Sequence, residues 1–539
     1  MGVFTRSFLG LIGLSVANRY VGLVSPSVLV YAFSGFFATL FSRTLYYWLI
    51  YPFYVSPFRH LPRPEGKGHW LYGDNYKFEK KPQSSVLIQL ANENPDADFC
   101  RFLAFMNGER IIPLSTNALT EVMQTQCYTF IKPPWISKTL NGILGNGVLF
   151  AEGDVHKSQR KMLMPAFSYG HIKSLVPVFL SESSRMIRVL GQRLEKADEK
   201  YNTPPGVIEI NNFLSGLTLD IIYRAGLGIE FTALEHPDNE LSAAYRKVFS
   251  PAGTMNQLMF VLSVFVPGFA KIPFARNRML RDARNTINKF ASDAIEKKVA
   301  EYNENKNEKV EKDIISVMVR EGQGVWSTKD MQDQITTFLI AGHETTASAL
   351  CITLNHLCKQ QDMQDKLRNE IHSAFPSGYA SITSYEDIES LSLLNDIMRE
   401  ALRVTPPVAG TIRQTATDTT VCNQFFPKGT LVNLVMSLVN KMSLYWGEDA
   451  TEFDPSRWRD PARIANASNM SFITFLQGQR ACIGRRFAEL EFKCILVALV
   501  GSYKFEFSDD KEIEFRMRIT YRPINGMPLR ITPVEVAAW

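Results

Sequence analysis

The first sixty residues contain no acid and no lysine. Their only formal charges are Arg6, Arg19, Arg43 and Arg59, and the first acid is Glu65. The net charge of +5 falls to +1 once those four are set aside, so the body of the chain is nearly neutral. A nearly neutral body removes the basic pI as an argument for nucleic acid. Cysteine is also sparse. The seven (Cys100, Cys127, Cys351, Cys358, Cys422, Cys482 and Cys494) are odd in number, scattered, and never spaced C-x-x-C. That pattern excludes a disulfide framework and a cysteine zinc site, and it fits a reducing compartment. His343-Glu344 opens the zinc-protease motif, but the second histidine would fall at Ala347, so that reading fails. Gly142-Ile143-Leu144-Gly145-Asn146-Gly147 has neither a preceding strand nor Rossmann spacing and reads as a loop. No flavin or nicotinamide motif and no internal repeat occurs. Electrons for any redox chemistry must therefore come from another protein.

Charge is absent again from Tyr20 to Ser42, an apolar stretch bounded by Arg19 and Arg43. About 20 apolar residues cross a bilayer as a helix. Pro26 marks the start of this helix or kinks it. A second run, Thr44 to Phe58, is rich in Tyr and Trp and suits the membrane interface. Ser7 to Asn18 has signal-peptide length, but no small-residue cleavage site follows. The expectation is an uncleaved anchor over residues 1–55, with one or two transmembrane segments. Residues 56–64, with Pro57, Pro62 and Pro64, form a stiff connector. The soluble domain then covers 65–539. With 45% hydrophobic and 21% charged residues, it is long enough to bury a large core. Glu301 to Lys312 reads as a solvated polar run. The sequons at Asn466 and Asn469 stay unmodified in a domain that faces the cytosol.

The most informative run is Phe475-Leu476-Gln477-Gly478-Gln479-Arg480-Ala481-Cys482-Ile483-Gly484. Gly478 and Gly484 allow turns and close approach that a Cβ would block. Cys482 precedes a helix-like stretch from Arg485, where free N–H groups and the dipole favour a thiolate. A thiolate so placed can be an axial ligand of haem iron, and sulfur ligation favours O–O cleavage. Arg480 suits a haem propionate, and Phe475 can pack on the cysteine side of the ring.

Two further constellations precede it. A long helix is expected from about Ser327 to Lys359, opened by a Ser327/Asp330 capping box. At its centre lies Ala341-Gly342-His343-Glu344-Thr345-Thr346. A mid-helix glycine costs about 1 kcal/mol against alanine, which suggests that something needs room beside the backbone. Glu344 and Thr345 supply an acid and a hydroxyl for oxygen and proton handling. Glu400-Ala401-Leu402-Arg403 then places two opposite charges on one helix face. If buried, the pair needs another partner, and Arg457 is the candidate.

The order acid–alcohol helix, Glu-x-x-Arg, Cys loop resembles a cytochrome P-450, a haem-thiolate monooxygenase of the microsomal and fungal type. The resemblance runs from about Ser56 to Pro533. It implies a mainly α fold with smaller β-sheets, haem b (iron protoporphyrin IX) as cofactor, and Cys482 as the proximal ligand. Arg160, Arg413, Arg480 and His156 would hold the propionates. His156 and Arg160 lie in Asp154–Lys161, which resembles the family's propionate-binding helix. Glu344 and Thr345 would serve oxygen activation, and Glu400, Arg403 and Arg457 would form a folding triad. Substrate-facing segments would be Tyr128 to Val148, Phe338 to Gly342, Val408 to Ile412 and Ile519 to Ile524. Phe338, Val408 and Ala409 suggest an apolar pocket.

The implied partners are an NADPH-dependent P-450 reductase, with a b-type cytochrome as a second donor, an apolar small-molecule substrate and a membrane; no nucleic acid is implied. Lys157, Lys161, Arg485, Arg486 and Lys493 would steer an acidic reductase. The implied place is the endoplasmic reticulum, facing the cytosol. The implied reaction inserts one oxygen atom of O2 into a secondary metabolite such as a terpenoid or polyketide. Alternatives are a fatty-acid hydroxylase, a haem-thiolate lyase or isomerase, and a membrane haem sensor or scaffold.

Overall fold

The computed structural model describes residues 25–534 apart from 67, 78–82, 139–144, 199–200, 202, 250–271, 273, 305–312, 323–324 and 518. Ser7–Asn18, the start of the expected span at Tyr20, the first half of the Gly142–Gly147 loop and residues 305–312 of the Glu301–Lys312 run lie outside the described residues.

The two apolar runs expected near the N-terminus form one continuous helix. Its α-helical part, α1, is Pro26–Leu45, with Pro26 in the first turn, where its missing N–H costs nothing. A π-helical part, Tyr46–Val55, follows and contains Pro52. Ser27–Val55 is long and apolar enough to cross a membrane. In the π-helical ladder each N–H reaches the carbonyl five residues back, so Pro52, which has no N–H, makes no bond to Tyr47 O. The Asn107 amide donates to Trp48 O (3.1 Å) and reaches Trp70 O (3.4 Å). Buried Arg101 donates to Pro52 O (3.1 Å) and pairs with Glu109 (2.7 Å). Trp48 stacks on Trp70, with ring centroids 5.3 Å apart. The following connector is docked rather than free: Phe58 is core, and Arg101 N donates to Pro62 O (2.9 Å).

This collar predicts an outcome. Asn107 has φ +51°, so Asn107→Gly keeps the left-handed turn and removes only the amide. A loss of about 1 kcal/mol is expected, together with faster limited proteolysis between residues 45 and 60. Unchanged cleavage there would count against the collar.

The remaining chain is mainly helical with small sheets, as the resemblance implies. The helices that position the site are α2 (Gly153–Leu163), α3 (Val176–Leu194), α4 (Ile210–Ile221), α5 (Ala275–Glu304), α6 (Thr328–Lys359), α7 (Gln361–Ala374), α8 (Ser392–Val404) and α9 (Arg485–Ser502). α6 begins at the expected capping box, in which Ser327 and Asp330 satisfy each other's backbone N–H groups. It runs through the centre of the larger core cluster, packed against α4, α5, α8 and α9.

The strands are β1 (Phe99–Leu103), β2 (Glu109–Pro113), β3 (Phe130–Ile131), β4 (Val207–Glu209), β5 (Thr411–Thr415), β6 (Thr419–Val421), β7 (Gln424–Phe426), β8 (Leu431–Leu434), β9 (Tyr503–Phe507), β10 (Phe515–Met517), β11 (Tyr521–Pro523) and β12 (Pro528–Pro533). The main sheet has the order β1-β2-β8-β5-β3, and β4-β12-β9 forms a second. In the main sheet β5 and β8 run antiparallel, with Arg413 opposite Val432. Its own core cluster gathers Phe58, Phe99 and Phe130 around Phe426.

Candidate active site

The cysteine loop is built by its backbone. Cys482 N donates to Phe475 O (2.8 Å), closing the loop around a single 3-10 turn at Gly478–Arg480. Gly478 has φ +71°, and a Cβ there would lie 2.4 Å from Met123 O, so glycine is required twice over. At Gly484 a Cβ would meet only the Phe167 ring, at 3.8 Å. The protein's own packing therefore does not demand that glycine, whereas a flat group laid over the loop would. Cys482 is exposed by surface area although protein atoms surround it, so its thiol looks into a recess. Burial among those atoms raises its pKa. The Gly484 N–H and the charges of Arg160 and Arg485 act the other way but do not win. The helix start therefore helps a thiolate less than the sequence alone suggests. Phe475 lies beneath the Arg485 guanidinium, 5.3 Å from its ring centroid.

α6 is almost wholly buried, yet Ala341 is exposed and Thr345 half-buried, one turn apart on one face. Thr345 Oγ1 donates to Ala341 O (2.8 Å). Glu344 is on another face: it is buried and gripped by Arg522 and Thr520. Neighbours in sequence, the acid and the alcohol point apart. The room at Gly342 is used by protein, since a Cβ there would lie 3.0 Å from Ile222 Cδ1. Phe338, expected in the pocket, is buried against Phe167 (5.4 Å). Val408 and Ala409 remain half-buried.

The expected propionate partners converge. Arg160 Nη1 on α2 donates to Ala481 O (2.7 Å), and Arg480 Nη1 donates to Ala151 O (2.7 Å) while its other arm takes Glu152. His156 Nδ1 and Tyr128 Oη share a hydrogen bond (3.1 Å), and Arg480 covers the Tyr128 ring. Arg413 is buried and donates to Thr411 Oγ1 (2.8 Å). Lys132, which no motif marks, joins them 3.8 Å from Glu152. Burial first, then Arg413 and Arg480, push Lys132 down to about 7. Burial first, then the surrounding cations, bring His156 down to about 3. Arg413 falls to about 10, chiefly by burial and then by Arg480. One carboxylate, Glu152, is thus set against Arg160, Arg413, Arg480 and Lys132, and this cationic surplus fits a dianionic haem edge.

A pH effect follows. A carboxylate beside Lys132 raises its pKa again, so in the window above pH 7 haem loading takes up a proton. Calorimetry of loading at pH 8 in buffers of different ionisation enthalpy checks this. Equal uptake in wild type and Lys132→Met would exclude Lys132 as the group.

The triad forms as expected, with Glu400, Arg403 and Arg457 fully buried. Arg403 grips Glu400 through Nε (2.9 Å) and Nη2 (2.7 Å), and Arg457 Nε reaches it at 3.3 Å. Trp458 Nε1 (3.1 Å) and Asp454 N (3.1 Å) complete the shell of Glu400. Among the cations expected to steer a partner, Lys493 is not available: it is buried and paired with Glu389 (2.6 Å).

A family model described as cytochrome P-450 matches residues 62–527. The chain is 36% identical over 504 residues to the cytochrome P-450 monooxygenase sphH of Aspergillus fumigatus, covering 92% of each chain. It is 32% identical over 543 residues to the cytochrome P-450 monooxygenase FUM15 of Gibberella moniliformis, covering 90% of each. Members of the family bind haem, take small-molecule substrates and use redox partners such as NADPH–P-450 reductase. A mainly helical fold, an accessible cysteine between two glycines and a match spanning most of the sequence agree: the chain belongs to the cytochrome P-450 family and is a haem-binding monooxygenase.

Proposed function

We propose that Cys482 is the axial haem ligand and that the chain hydroxylates an apolar secondary metabolite, such as a terpenoid or polyketide, at the endoplasmic reticulum. The carrying observation is the accessible Cys482 thiol beneath the cationic cluster, with a bare glycine beside it. When bound there, the haem would activate dioxygen for insertion of one oxygen atom into a C–H bond.

The chain's own residues would divide the remaining work. Arg160, Arg413, Arg480, His156 and Lys132 would hold the propionates, with Gly478, Gly484 and Phe475 shaping the proximal surface. Thr345 presents a hydroxyl to the recess, and Glu344 carries the proton that the hydroxyl passes on. Val408 and Ala409 offer apolar contact to the substrate. Lys157, Lys161, Arg485 and Arg486 remain exposed or half-exposed and suit an acidic P-450 reductase, with a b-type cytochrome as second donor.

The apolar N-terminal helix and the unpaired cysteines support a microsomal anchor with the catalytic domain in the cytosol. Substrate-linked oxygen consumption that requires reductase and NADPH tests the reading. Turnover of a peroxide without either would favour a lyase or isomerase, and haem binding without substrate-linked turnover would favour a sensor. Soret shifts on titration separate terpenoid or polyketide ligands from fatty acids. Protease digestion of intact microsomes tests orientation, and a protected domain would overturn it.

A further inference from the structure

Lys441 is a half-buried cation that the haem site does not use. With Ile88, Gln89, Asn92, Glu93 and Thr451 it lines a cleft of about 580 Å³. That volume lies in the range of small-molecule sites. Both walls of the cleft are held in place. Arg403 on α8 donates to Asn440 O (2.9 Å) and Ala450 O (2.5 Å). Lys441 and Thr451 are the residues that follow those two carbonyls, so the buried triad fixes the backbone of one wall. Opposite, the helix Gln83–Glu93 packs against the short helix Met436–Val439. Asn92 Oδ1 also accepts from Ser443 N (3.1 Å), which ties the two walls together.

Among the described residues no carboxylate, carbonyl or hydroxyl takes the Lys441 ammonium. A charge withdrawn from water ordinarily has a partner. The charge that acts on Lys441 has its own sign: burial first, then Arg403, bring its pKa down to about 8, which leaves it mostly a cation at pH 7. The nearby acids are spent elsewhere. Glu93 takes Gln89 Nε2 (2.8 Å), and Asp449 is shared by Arg457 and Arg463. The Asn92 amide nitrogen and the Thr451 hydroxyl likewise have no acceptor among the described residues. Ile88 is buried and gives the cleft an aliphatic wall. One uncompensated positive charge, two neutral donors and an aliphatic wall suit a monoanion with a short alkyl chain.

We propose that this cleft is a second small-molecule site, which binds a short-chain aliphatic carboxylate with Lys441 on the carboxylate and Ile88 on the chain. Its wall is the backbone that Arg403 grips, so an occupied cleft stabilises the region around the triad. No covalent step is involved, and the site is independent of the reaction at Cys482.

The test uses the full-length holoenzyme with an azole filling the haem pocket, hexanoate as the probe and hexanol as its neutral counterpart. A ligand-observed NMR titration should show saturable hexanoate binding. Hexanol should bind at least about 10-fold more weakly, because it lacks the charge-assisted hydrogen bond. Lys441→Met should weaken hexanoate at least about 10-fold. It removes a charge that burial disfavours, so the variant should accumulate like wild type. Asn92→Asp keeps the bond to Ser443 N but puts a like charge in the cleft, and it should weaken hexanoate as well. Hexanoate should raise the urea midpoint of wild type and not that of Lys441→Met. It should also slow acylation of Lys441 Nζ by an amine-reactive ester, followed by peptide mass mapping, which locates the site without any variant.

The site is overturned if hexanoate does not saturate, if hexanol binds as tightly, or if Lys441→Met binds hexanoate like wild type. Acylation of Lys441 at the same rate with and without hexanoate overturns it too.

Discussion

Cys482→Ser should lose the thiolate-type Soret band of the reduced, carbon-monoxide-bound protein, and oxygen insertion should fall below detection. The loss should be chemical rather than structural. The loop is closed by Cys482 N to Phe475 O, by the Gly478–Arg480 turn and by Arg160 on Ala481 O, none of which uses the sulfur. The side chain faces a recess rather than a packed core, so an oxygen in its place leaves no cavity. A serine oxygen cannot supply the electron push of a thiolate. Far-UV circular dichroism and haem content should therefore stay near wild type while the band and the turnover disappear. A variant that keeps the band would refute the ligand assignment.

Glu400→Gln should have the largest effect on folding. Glu400 accepts from Arg403, Arg457, Trp458 and the Asp454 backbone, and it and both arginines are fully buried. Removing its charge leaves the buried Arg403 guanidinium without its carboxylate and Arg457 with only the half-exposed Asp449 (2.9 Å). Breaking one side of a buried pair costs about 3–5 kcal/mol, out of a usual total of about 5–15 kcal/mol. Little soluble holoprotein should accumulate, and what does should show a clearly lower urea midpoint. Arg403 also donates to Asn440 O (2.9 Å), Ala450 O (2.5 Å) and Glu452 O (3.0 Å), so Arg403→Ala should be at least as damaging. A midpoint within error of wild type for both would show the triad to be dispensable.

What the sequence discloses here is what local spacing encodes. The capping box at Ser327 and the i,i+3 pair at Glu400 depend on residues a few positions apart, and both contacts form; the glycine-bracketed cysteine is equally local, but burial outweighs its helix start and raises the thiol's pKa. Arg457 was also found, because the buried pair demanded a further partner and few charged residues lay in apolar surroundings. Tertiary neighbours were out of reach. Lys132 meets Glu152 and Arg413 only because β3 pairs with β5 and the chain then returns to α2. Arg522 lies 178 residues from Glu344, with no motif linking them. Gly342 signalled a need for room, but not that Ile222 would take it. Lys493 looked like one of several exposed cations until Glu389 was placed beside it. Helix direction explains the parting of Glu344 and Thr345, since successive residues are turned about 100° apart.

The collar at residues 46–55 sets a height. The 20 residues of α1 rise about 30 Å, the thickness of a bilayer's hydrocarbon core. The segment that follows is held to the catalytic domain through Asn107, Arg101 and Trp70, leaving no slack chain between α1 and the enzyme. A leashed domain could swivel toward whatever approaches, whereas one mounted on a short rigid mast cannot. In the membrane-anchored arrangement proposed above, a redox partner would have to present its cofactor at one altitude above the lipid. Lengthening the mast by a helical turn would misalign the two like gears on shafts of unequal length.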